Sequence, residues 1–200
     1  MKNLKKALVL VLTFAMIFGM FTIGASAASF SDDEDIVNKE AVETMVQLGI
    51  INGYEDGTFL PKQVVTRAEM CKMICVALNG GTAPLLDAGV TVFSDTKGHW
   101  ASAYINYCYA EGIVSGDSGK GGPFRPDAAV TALEAAKMML VALGYNAQIA
   151  GFTGADWAQN VAKEANRKGL FDGIGALNAN APLTRDNAAQ LIFNGINADL

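Results

Sequence analysis

The chain has 200 residues, a formal net charge of −5, 51% hydrophobic residues and a single histidine. The acidic balance excludes the basic face that a nucleic-acid binder presents. The lone histidine leaves no Ser/His/Asp or Cys/His arrangement shared between parts of the chain.

The first element is a targeting segment. Lys2, Lys5 and Lys6 form a positive start, Ala7 to Ile23 is almost unbroken apolar sequence, and Ala25-Ser26-Ala27 gives a small-x-small cleavage pattern. The apolar run is close to spanning length, so an uncleaved anchor is the alternative, but the small residues favour cleavage after Ala27. Cleavage removes three lysines and no acid, taking the charge from −5 to −8. No later stretch is long and apolar enough to span a membrane.

Three copies of one pattern follow. Val37 to Gly49, Trp100 to Gly112 and Trp157 to Gly169 align without gaps, and each continues into apolar-apolar-polar-Gly, ending at Gly53, Gly116 and Gly173. Thr66 to Leu78, Thr131 to Leu143 and Thr184 to Ile196 align as a second block. Phe59, Phe124 and Leu177 precede those threonines, followed by Pro61, Pro126 and, in the most diverged copy, Ala179. Both blocks have helical periodicity; Met73, Ile74, Val76, Ala77 and Leu78 form an apolar stripe with Lys72 outside it. Thr66-x-x-Glu69 and Thr131-x-x-Glu134 are capping boxes, with Thr184-x-x-Asn187 a weaker version. Each repeat therefore reads as helix, Gly-rich loop, helix. One such hairpin cannot bury its apolar face alone, so the three are expected to pack together in an all-α fold. The boundaries are 1–27 for the signal peptide, 28–80 for the first repeat, 81–91 for a linker, 92–146 for the second repeat and 147–200 for the third.

The alignment also places the cysteines. Cys71, Cys75 and Cys108 stand where the other copies carry Ala136 and Ala189, Leu140 and Phe193, and Met45 and Ala165. They read as buried core thiols rather than metal ligands or a disulfide framework.

The ordered motifs resemble the S-layer homology repeat over about residues 29 to 199. The first copy shows Phe30-Ser-Asp32, Gly49 through Pro61, and Val65-Thr-Arg-Ala-Glu69; the second shows Phe93-Ser-Asp95, His99-Trp-Ala, Phe124-Arg-Pro126 and Val130-Thr-Ala-Leu-Glu134. The resemblance implies a pseudo-threefold helical bundle with grooves between lobes. It implies that the grooves bind an anionic secondary polymer attached to peptidoglycan, often through a pyruvate ketal on an amino sugar. It further implies that the arginine of Thr-Arg-Ala-Glu faces the ligand with Thr66 and Glu69 beside it. That arginine maps to Arg67 and Arg185; Ala132 takes its place in the second repeat, so one groove is expected to be weak. The implied location is the envelope of a Gram-positive bacterium, with other envelope proteins or a second copy as further partners.

Physical chemistry supports the arginines. A cation at the first helical position opposes the helix dipole at a cost of about 0.3–1 kcal/mol, so its presence in two of three copies points to a use. Free N–H groups at the helix start suit an anion, and a guanidinium fork grips a carboxylate with two bonds. A chain of charge −8 needs such a local positive pocket to hold an anionic polymer. The alternative partner of each arginine is a nearby carboxylate, such as Glu69 or a loop aspartate. Asp186-Asn187 departs from Ala-Glu, which makes Arg67 the stronger expectation. Trp100 and Trp157 are equivalent and read as groove wall or core anchor, Val37 being their counterpart. Asp32 and Asp95 cap a helix or bond sugar hydroxyls. Gly53 and Gly116 supply a turn with positive φ, or let a sugar approach the backbone.

Other classes rank lower. Asn52 to Gly57 faintly resembles a calcium loop, but Tyr54 takes a ligand position and Gln63 stands where a bidentate glutamate belongs. His99 aligns with Asp156 and Ile36, which gives it no shared catalytic role. No enzyme activity, metal or cofactor is expected. A structural protein acting by self-assembly is the alternative to polymer binding. The third repeat runs to Leu200, as in a stand-alone wall-binding protein or a fragment of a longer chain.

Overall fold

The computed structural model describes residues 30–83, 91–175 and 178–198. The expected signal peptide, most of the 81–91 linker and Leu177 lie outside the described residues. The described residues are all-α. A 3-10 turn at Asp33–Asp35 precedes α1 (Lys39–Gln47), α2 (Arg67–Leu78), α3 (Ser102–Ala110), α4 (Ala132–Ala142), α5 (Trp157–Arg167) and α6 (Arg185–Asn197).

The second helix of each repeat starts in the same way. Thr66, Thr131 and Thr184 are N-caps with φ/ψ of −81/161, −81/160 and −83/162. Thr66 and Thr131 close full capping boxes with Glu69 and Glu134, satisfying two helix-start donors reciprocally. Thr184 accepts from the Asn187 N–H, but the Asn187 side chain turns to Asn38 instead.

The residues just before these caps tie the three repeats together. The Val65 N–H donates to Leu183 O, the Leu183 N–H to Val130 O, and the Val130 N–H to Val65 O, each at 2.9 Å. All three side chains are buried, so a closed cycle of backbone bonds runs through the core. Two residues further along each chain segment, the N–H groups of Arg67, Ala132 and Arg185 donate to Ala128 O, Ala181 O and Gln63 O. The next N–H groups, of Ala68, Leu133 and Asp186, donate to Pro126 O, Ala179 O and Pro61 O. The helix starts therefore offer no free first-turn N–H to an anion, contrary to the expectation above. Loop carbonyls of another repeat satisfy those donors, as buried helix ends require.

The helices also pair across repeats. α2 packs on α3, α4 on α5, and α6 on α1, while the α2–α4 and α4–α6 contacts are smaller. Each lobe thus joins the second helix of one repeat to the first helix of another, and the helices of one repeat do not form a tight hairpin. The cysteines lie in the α2–α3 seam, buried as expected and not joined by a disulfide. The Cys108 thiol donates to Cys71 O at 3.5 Å. Its hydrogen bonding to Cys71, together with burial, pushes its pKa well up, which suits an inert core thiol.

A polar cluster fastens the α4–α5 lobe. Glu164 accepts from Arg167 and from the Tyr145 hydroxyl. These bonds, Arg167 first, lower the Glu164 pKa to about 2. A depressed carboxylate stabilises the fold above its unfolded pKa, and that stability is lost as pH falls through the folded value. Wild-type protein is expected to lose this increment between about pH 4.5 and 2. Glu164→Gln is expected to flatten the acid limb in that window, read as urea midpoint against pH. An unchanged limb counts against the cluster. Asp56, Asp95 and Asp117 are also depressed and keep part of the slope.

Candidate ligand-binding clefts

The clefts are built on a repeated loop. The Phe59 and Leu60 N–H groups each donate to Asp32 at 2.8 Å. The Phe124 and Arg125 N–H groups donate to Asp95 at 2.8 and 2.7 Å. Leu60 and Arg125 sit at φ of 56 and 58, a left-handed conformation that costs a non-glycine residue energy and here is held by that carboxylate. Burial pushes the Asp95 pKa up, but the two N–H groups outweigh it and leave the pKa lowered. Both aspartates are therefore loop clamps. Neither makes a side-chain cap, because their partners lie in the distant Phe-x-Pro loop.

The clamp places a phenylalanine under each arginine. Phe124 stacks on Phe93, and the Arg67 guanidinium lies 4.6 Å over the Phe124 ring. Arg67 Nε donates to Phe124 O at 2.9 Å, and Nη1 donates to Glu134 at 3.2 Å. Its carboxylate partner thus comes from the second repeat and is neither Glu69 nor a loop aspartate. Glu69 serves its own cap, accepting from the Thr66 N–H at 2.8 Å.

Arg185 repeats the geometry on the first repeat. It lies 4.9 Å from the Phe59 ring centre and 4.8 Å from that of Tyr54, donating to Phe59 O and Asn52 O. It is only 7% exposed. None of the ion pairs among the described residues includes it. Asp186, whose presence weakened the expectation for Arg185, instead accepts from the Asn38 N–H and side chain at 3.1 and 2.7 Å.

A cleft of about 410 Å³ opens between the second and third repeats. Its wall includes Gly116, Asp117, Glu134, Lys137 and Trp157, with Arg67 reaching in from the first repeat. Arg125 holds Asp117 at its edge with a two-point ion pair. A second cleft of about 350 Å³ lies between the third and first repeats, with Val37, Asn38, Gly173, Asp186 and Asn187 in its wall. By position this cleft corresponds to Ala132, so it carries no motif arginine.

The remaining expected residues fall as follows. Trp157 lines the first cleft and also packs against the core, whereas Trp100 is 57% exposed beside His99 and is not a core anchor. Gly116 has φ of 68, but Gly53 is outside the positive-φ region. Their shared reason is steric: an added Cβ would stand 2.4 Å from the Phe93 ring and 2.3 Å from the Phe30 ring, respectively. That space belongs to a phenylalanine of the same repeat. Lys137, not singled out from the sequence, has its ammonium 5.5 Å from the Trp157 ring centre. Its spacing of three from Glu134 on one helix is the signal that places both on one face.

Residues 29–71 and 92–136 match the S-layer homology domain. The two matched segments lie within the expected first two repeats, 28–80 and 92–146. The third repeat, with the same cap geometry at Thr184, lies beyond them. The chain is 31% identical to the "Cell surface protein" of Thermoanaerobacter kivui over 96% of its own length and 24% of that protein. It is 30% identical to the "Surface-layer 125 kDa protein" of Lysinibacillus sphaericus, over 92% of its length and 16% of the relative. It is 31% identical to "Exoglucanase XynX" of Acetivibrio thermocellus, over 84% and 16%. The chain thus spans less than a quarter of the length of each of these three relatives, and their names differ. Among the described residues no group of three or more His, Cys, Asp or Glu side chains is placed to hold a metal ion, and no helix is long and apolar enough to cross a membrane.

Proposed function

We propose that this chain is a non-catalytic wall-binding module of a bacterial surface protein. It holds an anionic secondary cell-wall polymer, with a pyruvylated amino sugar as the preferred unit, in clefts between three S-layer homology repeats arranged in a pseudo-threefold bundle. The observation that carries this reading is the first cleft: two cations, Arg67 and Lys137, beside an aromatic wall, Trp157, in a chain of net charge −5. A sugar carboxylate fits the cations, and the ring face of a sugar fits the indole. The closed hydrogen-bond cycle supports the threefold arrangement. The surface and S-layer names of the relatives support export and a cell-surface location. Those same names favour a second reading, in which the repeats bind other copies of the protein.

The test is co-sedimentation with purified wall sacculi before and after acid strips the secondary polymer. Binding is expected to disappear with the polymer and to follow a simple hyperbolic, non-cooperative isotherm in protein concentration. Binding that survives stripping points to direct peptidoglycan contact. Binding that rises cooperatively with protein concentration points to self-assembly.

A further inference from the structure

The cation that Thr-Arg-Ala-Glu supplies to the first cleft is largely committed. Arg67 gives Nε to Phe124 O and Nη1 to Glu134, and its face to the Phe124 ring. The first-turn N–H groups of α2 and α4 are taken by loop carbonyls. Lys137 is different. It is half-buried in the cleft wall, and no hydrogen bond from its ammonium is found among the described residues. Its contact is the Trp157 ring. Burial, with the Arg67 charge adding and the Glu134 carboxylate only partly opposing, holds its pKa below the ordinary lysine value.

We propose that Lys137 is the principal anion-binding donor of this cleft and that Trp157 is its resting place in the empty state. A half-desolvated ammonium gains more from an oxyanion, which accepts a charged hydrogen bond, than from an indole face. An arriving sugar oxyanion therefore draws Lys137 off the ring, and the ring it leaves becomes free to stack on the sugar. Glu134 sits three residues earlier on α4 and holds Arg67, so the incoming anion meets Lys137 without displacing that pair. In the third repeat the equivalent residue is Gln190, bonded to Asn194 at 2.7 Å. The second cleft thus lacks the lysine as well as the arginine and is not an anion site.

This inference rests on the wall-binding reading, and the experiment separates the two. Binding of full-length Lys137→Met and Lys137→Arg to sacculi is compared with wild type. In parallel, the Lys137 ε-methylene and Trp157 indole NMR signals are followed during titration with glucuronate, glucose 6-phosphate and neutral N-acetylglucosamine. Lys137→Met keeps an unbranched side chain over the indole and is expected to weaken binding by about tenfold or more, the loss of one charge-assisted bond, while Lys137→Arg keeps most of it. Both NMR signals are expected to move with an anionic sugar and not with the neutral one. Movement with glucuronate alone assigns a carboxylate ligand, and with glucose 6-phosphate alone a phosphate. Wild-type affinity in Lys137→Met overturns the inference while the wall-binding reading stands. If wild type binds no sacculi, that reading fails, and signals that stay still with both anions, or move equally with the neutral sugar, overturn the inference too.

Discussion

Phe124→Ala is expected to lower unfolding free energy by about 3–5 kcal/mol, the usual cost of truncating a fully buried aromatic. The ring is 0% exposed and stacks on Phe93 with centroids 5.2 Å apart. It is also the platform for Arg67, so the loss is not confined to apolar area. The residue's own backbone stays tied through its N–H to Asp95 and its carbonyl to Arg67. The chain path is therefore expected to survive while the space beneath the guanidinium empties. Phe124→Leu separates the two contributions, since it refills most of the volume but offers no ring face to the cation. Urea titration is expected to show a lower midpoint with an unchanged slope, and a smaller shift for leucine. A loss under about 1 kcal/mol for alanine would show that the loop does not rest on this ring. Wall binding should fall in Phe124→Ala even where it remains folded, because Arg67 loses its fixed direction.

What the sequence carried and what it hid divide along physical lines. The all-α class, the six helices and the caps were legible because they are local. Thr66 and Glu69 are three residues apart, and the bond between them is fixed by helix geometry. The core cysteines were legible because an aligned apolar residue states what a buried position needs. The roles of Asp32 and Asp95 were not, because their donors lie 27 and 29 positions away for the first N–H of each pair. Helix periodicity says which face is buried but not against which partner, so the pairing of α2 with α3 rather than with α1 was invisible. The free N–H groups expected at the helix starts were the same kind of miss: donors are counted from sequence, but their acceptors come from another repeat. Lys137 was overlooked although Lys72 repeats it, because a lysine outside an apolar helical stripe reads as a solvated face, and Gln190 in the third copy fits that reading.

Arg185 is expected to matter more than Arg67, the reverse of the order that the third repeat's Asp186-Asn187 implied. The difference is the counter-ion. Arg67 sits 3.2 Å from Glu134, which cancels much of its field in the cleft. Arg185 is buried on Tyr54 and Phe59, is held by two carbonyl oxygens, and belongs to none of the ion pairs among the described residues. Carbonyl oxygens orient a cation without neutralising it, and a desolvated charge acts through a low dielectric. Arg185→Ala is therefore expected to reduce sacculus binding by about 10–100-fold, equivalent to roughly 1.5–3 kcal/mol for a lost charged hydrogen bond. Arg67→Ala is expected to do less. Arg185→Ala also leaves the Phe59 and Asn52 carbonyls without their guanidinium donor, so stability should fall by about 1–3 kcal/mol. Binding must accordingly be compared at a temperature where both variants are folded. Arg185→Lys is the discriminating variant. It keeps the charge but cannot reach both carbonyls and lie flat on the rings, so partial binding with reduced stability is expected. Full binding in Arg185→Ala beside a large loss in Arg67→Ala would mean that the ion-paired arginine faces the polymer and that the buried one only joins the third repeat to the first.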